Sequence, residues 1–140
     1  MGERVQVLQN SDFQIQFLAA DPELPDSDLK QVSHLHQLTP YGMLLVSLAS
    51  CTTIVLHTYA RAHDIKLNRV VVNAEYERSF NEDCENCEEN NRYDAQITEH
   101  VELHGELSGQ ERKKLENVVK LCSIRQMLEG GIEIQHVGTE

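Results

Sequence analysis

Positive charge is scarce in this sequence: 12 lysines and arginines stand against 23 aspartates and glutamates, a net charge of −11. A chain so acidic is not expected to bind a nucleic acid backbone or an anionic membrane surface. No basic stretch precedes an apolar run at the N-terminus, so no secretory signal is expected. Internal repeats and low-complexity stretches are absent too. Cysteine is sparse, with four residues, and without a signal these are expected as reduced thiols in the cytoplasm, any disulfide being transient.

What is present is globular. Hydrophobic residues make up 40% of 140 positions, enough for one domain, residues 1–140, with a real core. Leu38 to Ala60 carries no formal charge unless His57 is protonated, and is long enough to span a bilayer. Its threonines and serines, and the polar remainder of the chain, favour a helix buried in a soluble protein instead. One copy of so small a chain cannot cover such a helix all round, so a homodimer formed through it is expected, with no membrane partner.

The pattern of elements reads as follows. Arg4 to Gln9 and Phe13 to Leu18 alternate apolar and polar residues around Asn10-Ser11-Asp12, predicting a β-hairpin. Residues 19–37 predict a long connection holding a helical turn at most. Thr39 suits an N-cap and Pro40 the first helical position, predicting a helix to about Ala62. Lys66 to Phe80 and Tyr93 to Leu107 predict two long antiparallel strands joined by a polar tip at 81–91. Ser108-Gly109-Gln110-Glu111 is a capping box, and Leu115, Val118, Val119 and Cys122 follow at helical spacing. Gly130-Gly131 ends that helix, and Ile132 and Ile134 alternate into a last strand. The fold class is α+β, in the order ββ-α-ββ-α-β.

Chemistry rests on the cysteines. Cys51 lies in the run Ser47-Leu48-Ala49-Ser50-Cys51-Thr52-Thr53, and Cys122 in Lys120-Leu121-Cys122-Ser123-Ile124. Both fall on apolar helical faces, where a cysteine serves either as a small hydrophobe or, if the helices meet, as half of a dithiol redox site. Cys84-Glu85-Asn86-Cys87 offers two thiolates for a zinc ion, or a redox pair that its acidic neighbours disfavour, or no chemistry at all. His34 with His36, and His100 with His104, read most simply as surface histidines, and His57 as polar trim on the dimer-facing helix.

Two of these runs together resemble a known family. Pro40-Tyr41-Gly42-Met43-Leu44-Leu45 through Ala49-Ser50-Cys51-Thr52 is similar to the first cysteine helix of OsmC/Ohr-like proteins, the osmotically induced and organic-hydroperoxide-resistance type. Cys122-Ser123-Ile124 with Leu128 resembles their second cysteine motif, and the acidic tip around Cys84 and Cys87 is similar to one carried by a subgroup. The resemblance spans residues 38–137. It implies an OsmC-like intertwined dimer, with two buried central helices packed against antiparallel sheets. It also implies thiol-dependent reduction of organic or hydrogen peroxides, with Cys51 attacking, Cys122 resolving, an external dithiol as reductant, and no cofactor required.

An attacking thiol must ionise, and burial opposes that. Cys51 lies eleven residues past Pro40, about 16 Å along the axis, beyond reach of its own helix dipole. The resemblance implies an arginine from the region before the cysteine helix, held by a glutamate near that helix's start. No arginine occurs between Arg4 and Arg61, and Tyr41 and Gly42 stand where the glutamate is expected. His34, His36 and Arg125 are the available substitutes. A rival expectation keeps the fold without turnover: a dimer binding a small apolar ligand near Cys51, with a metal site at Cys84 and Cys87.

Overall fold

A computed structural model describes residues 2–80 and 93–139. The expected hairpin forms from β1 (Gly2–Asn10) and β2 (Ile15–Ala19). Its turn closes because the Asn10 side chain accepts hydrogen bonds from the N–H groups of Asp12 and Gln14, both at 3.0 Å. The connection that follows holds β3 (Lys30–Gln31) and one 3₁₀ turn, Leu35–Gln37. Arg4 pins it to the sheet by donating to the carbonyls of Pro25 (2.7 Å) and Ser27 (2.6 Å).

Helix α1 (Pro40–Ala62) starts as its sequence dictates: the Thr39 hydroxyl accepts from the Gly42 N–H at 3.1 Å, and Pro40 occupies a position that needs no donor. β4 (Lys66–Phe80) and β5 (Tyr93–Glu106) then pair antiparallel along their length. The strand order is β3-β2-β1-β4-β5. Near its end β5 passes so close to β4 that a Cβ on Gly105 would collide with the Lys66 carbonyl, next to a register shift between Leu67 and Arg69.

The core lies between one face of this sheet and the helices. Val5 and Val7 of β1 stand beside Ala74 and Val72 of β4, and α1 lays Leu45, Ala49, Leu56 and Ala60 across them. Helix α2 (Gly109–Val119) adds Leu115 and Val118. Its capping box is present in both directions, with Ser108 accepting from the Glu111 N–H and Glu111 accepting from the Ser108 N–H. By length and composition α1 is apolar enough to cross a membrane. Here its inner face packs on the sheet, while Met43 and Ile54 are exposed.

The architecture is α+β, as expected, but the C-terminal third departs from ββ-α-ββ-α-β. The second helix is two helices. α2 stops at Val119, the chain turns through Lys120 and Leu121, and α3 (Ser123–Gly130) starts anew with Cys122 as its N-cap. A single unbroken helix that buries Leu115, Val118 and Cys122 would bury Arg125, Gln126 and Glu129 as well. Breaking it leaves Gln126 and Glu129 exposed and turns Ile124 and Met127 half inward. In the single chain α2 buries Leu115 and Val118, and α3 buries no residue completely. The last strand does not form either. Gly131 ends α3 with φ +80°, and Ile132 and Ile134 lie exposed with no strand neighbour among the described residues. Alternation says which side chains would share a face, but a strand also needs an edge to pair with.

Candidate active site

Cys51 projects from the middle of α1 toward the start of α3. Its Sγ lies 3.7 Å from the Ser123 hydroxyl, and the buried Cys122 thiol stands near enough to act on its ionisation. Cys122 is fully buried, Cys51 is half-buried, and both are free thiols. Two cysteines 71 positions apart in sequence therefore meet at one junction of two helices.

The electrostatics separate the two. Burial is the largest single influence on Cys51 and works against ionisation. It is outweighed by hydrogen bonds from the Cys122 thiol, the Ile124 backbone, and the hydroxyl and backbone of Ser123, so Cys51 falls below the ordinary thiol value. Cys122 moves the opposite way. Burial raises it first, donation toward Cys51 and the adjacent sulfur raise it further, and bonds from the backbones of Arg125 and Ile124 only partly compensate. The arrangement holds one thiol ready to ionise and a neighbour that keeps its proton.

The donors are the first residues of α3. Cys122 makes no close side-chain cap bond, and the N–H groups of that first turn face its sulfur and that of Cys51. A helix start of this kind favours a thiolate through aligned N–H dipoles. The dipole of α1 does not reach Cys51, as the sequence implies; the dipole of α3 does. Reading Cys122 as helix interior hides this. The signal for it was the polar set Arg125, Gln126 and Glu129, which cannot follow Cys122 on a buried face.

The other expected groups are placed as follows. His34 and His36 are exposed in the turn before α1, with rings 5.4 Å apart, and His34 bonds to the Ser33 hydroxyl at 2.9 Å. Neither is among the groups that act on the Cys51 thiol. Arg125 stands near the site but turns its guanidinium to Glu129, with Nε donating at 2.9 Å. Cys84 and Cys87 lie outside the described residues. Among the described residues no group of three or more His, Cys, Asp or Glu side chains is arranged to hold a metal. His100 and His104 are exposed on β5.

His57 is corrected outright. It faces the sheet, 3% exposed, with Nε2 donating to the Gln9 carbonyl at 2.9 Å and its ring set edge-on to Phe13. It fastens α1 to the hairpin and trims no outer surface. One residue missed by the sequence reading is on β5. Glu99 of β5 accepts a hydrogen bond from Thr52, the residue after Cys51, at 2.7 Å. Next to this junction opens a cleft of about 390 Å³. Leu44 and Leu48 of α1, Tyr76, Ala95 and Ile97 of the sheet, and Arg125 and Leu128 of α3 line it.

Comparison with known proteins agrees with the fold. No curated protein matches the chain. Among solved structures, it is similar to an OsmC-like hydroperoxide resistance protein from Jannaschia sp. CCS1, with a TM-score of 0.61 and 11% sequence identity. The match covers 96% of this chain and 91% of that one, which establishes a shared fold. The OsmC-like protein family matches residues 33–137, which take in α1, both long strands and both cysteines. The chain belongs to the OsmC-like protein family.

Proposed function

We propose that the chain is a thiol-dependent peroxidase acting on organic or hydrogen peroxides. The observation that carries this reading is that Cys51 meets the start of α3, its Sγ 3.7 Å from the hydroxyl of Ser123, the residue that follows Cys122. Membership of the OsmC-like family supports it, as does the name of the similar structure, a hydroperoxide resistance protein.

The chemistry follows from the two unequal thiols. Cys51 gives up its proton, and its sulfur attacks one peroxide oxygen. The O–O bond breaks, sulfur is oxidised by two electrons to a sulfenic acid, and the leaving alkoxide takes a proton to become an alcohol. Cys122 then attacks the sulfenic sulfur. Its proton leaves with the hydroxyl as water, and a Cys51–Cys122 disulfide remains. An external dithiol reduces that disulfide, becomes a disulfide itself, and restores both thiols. The apolar walls of the adjoining cleft suit an organic peroxide. No step calls for a cofactor.

The working unit in this reading is a homodimer. Met43, Ile54 and Leu121 are exposed by 39%, 45% and 62%, on α1 and the turn after α2. A second copy covering them, as the apolar α1 demands, would exclude water from that face of the helix.

Peroxide consumption with cumene hydroperoxide and a dithiol reductant tests the proposal, in wild type, Cys51→Ser and Cys122→Ser. Turnover is expected in wild type and absent in Cys51→Ser. Mass spectrometry should find a Cys51–Cys122 bridge only when both thiols are present. No consumption, with both thiols left reduced, would overturn the enzyme and leave a ligand-binding dimer of the same fold.

A further inference from the structure

The cleft beside the thiols is a trough with two unlike ends. Ser123 opens α3 against Cys51, and α3 then runs back along α1, so that Arg125 and Leu128 line the same cleft as Leu48 and Leu44. Leu44, Leu48 and Cys51 follow one another at spacings of four and three residues, which sets them in one stripe of the helix. One end of the trough is therefore the Cys51 turn.

The other end is aromatic. Tyr76 of β4 lines the cleft next to Ile97, its neighbour across the ladder. Its ring stacks on that of Tyr41, in the first turn of α1, with centroids 5.0 Å apart and planes at 14°. The stacked pair bridges strand and helix and shuts the gap between them. Arg78, two residues along β4, holds Tyr41 from outside: its Nη1 donates to the Tyr41 hydroxyl at 3.3 Å, and its guanidinium lies 6.0 Å from the ring. A ring braced in this way is a fixed wall, because swinging it aside breaks the stack. Tyr41 stands ten residues before Cys51, about 15 Å along the helix axis.

Between the two ends the walls are apolar, from Leu44, Leu48, Ile97 and Leu128. A chain laid along them with its head at Cys51 gains with each methylene it buries, until it meets Tyr76. We propose that Tyr76, braced by Tyr41, is a specificity-determining residue: it limits the length of apolar chain that can lie in the cleft with its head at Cys51. The substrate class it selects is an organic hydroperoxide whose unbranched tail is no longer than this span. That class rests on the peroxidase reading; the length limit does not.

N-alkylmaleimides of increasing length read the limit without any peroxide. The Cys51 thiolate adds to the ring double bond, the neighbouring carbon takes a proton, and the N-alkyl chain is left to occupy the cleft. Modification of Cys51 is followed by peptide mass spectrometry on the full, reduced chain. Each rate is divided by that of N-methylmaleimide in the same variant, which cancels any change in the thiol itself.

In wild type this ratio is expected to rise about tenfold by N-hexylmaleimide, less than full burial of the added methylenes would give. It should gain nothing further at N-dodecylmaleimide, which outruns the span. Tyr76→Ala should lift the limit, with N-dodecylmaleimide overtaking N-hexylmaleimide several-fold, and Tyr76→Phe, which keeps the ring, should keep the limit. A wild-type ratio that climbs through N-dodecylmaleimide, or a limit left in place by Tyr76→Ala, would overturn the inference. Should Tyr76→Ala fail to fold, Ala95→Phe decides. Ala95 is exposed, lines the cleft and pairs with Arg78 at the aromatic end, so a ring there should bring N-hexylmaleimide down toward the N-methyl rate. No shortening would overturn the inference equally. Alkyl hydroperoxides of the same lengths separate the two readings. The expected maleimide pattern with no hydroperoxide consumed would sink the peroxidase and leave Tyr76 as the limit of a binding cleft.

Discussion

The first turns of α1 and α2 and the first turn of α3 offer the same backbone donors to different partners. α1 and α2 satisfy theirs internally, through the Thr39 hydroxyl and the Ser108–Glu111 box. α3 has no capping oxygen, and its opening N–H groups face the sulfurs of Cys122 and Cys51. A capped start stabilises a fold and does nothing else, whereas an uncapped start beside a thiol exchanges local stability for reactivity. In this chain the uncapped helix is the short one at the C-terminal end, with no fully buried residue to anchor it.

The sharpest way to break the comparison is at its shared cysteine. Cys122→Ala removes the thiol that donates to Cys51 and the sulfur that would resolve it. Alkylation of Cys51 should slow about tenfold near neutral pH, the size of a lost charge-assisted bond. No intramolecular disulfide should form with peroxide. An unchanged alkylation rate would mean that the backbone of α3 alone sets the Cys51 thiol. The capped starts should respond in the opposite currency. Thr39→Ala and Ser108→Ala are each expected to lower stability by about 1 kcal/mol in denaturant titrations while leaving Cys51 alkylation untouched.

This contrast also explains what the sequence made legible. Thr39-Pro40 and Ser108-x-x-Glu111 are local signals whose chemistry is complete within one turn, and both helices start where those residues say. The two long strands follow from their β-branched runs, and their register is settled by Val72 facing Val101 and Ala74 facing Glu99. The break at Cys122 was harder to read, because Leu115, Val118 and Cys122 keep helical spacing up to the residue where the helix has already ended. Glu99 was passed over because a strand reading tolerates one acid in an apolar row, and Thr52 is 47 residues away. Likewise His57 looks like surface trim until the hairpin carbonyl of Gln9 is brought to it. In each case the partner comes from a distant segment, and local pattern carries no information about it.

A smaller effect compares the Cys51 turn of α1 with its His57 turn. Burial pushes His57 below its ordinary value of 6.5, Arg61 adds to this, and the Gln9 carbonyl pulls partly back. The folded chain therefore refuses a proton that the unfolded chain accepts. Stability contributed by neutral His57 is full above 6.5 and is lost as pH falls through the folded value. Glu99 has the reverse sign: its raised carboxyl favours the fold at acid pH, and that contribution fades as pH rises through the folded value. His57→Gln can still donate to Gln9 but does not titrate, so its denaturation midpoint should fall less than that of wild type below 6.5. Parallel curves would show that His57 is not the group responsible.

The least effect is expected at Ser123, and it refines the comparison most finely. Its hydroxyl stands 3.7 Å from the Cys51 sulfur, a long contact, while its backbone and that of Ile124 belong to the helix itself. If α3 acts on Cys51 through its backbone start, Ser123→Ala should change the alkylation rate by less than about threefold, within the range of one weak neutral hydrogen bond. The helix would be unaffected, because alanine is at least as good a helix former as serine. A loss as large as that of Cys122→Ala would move the source of reactivity from the helix start to one hydroxyl. The open first turn of α3 would then differ from the starts of α1 and α2 only in lacking a cap.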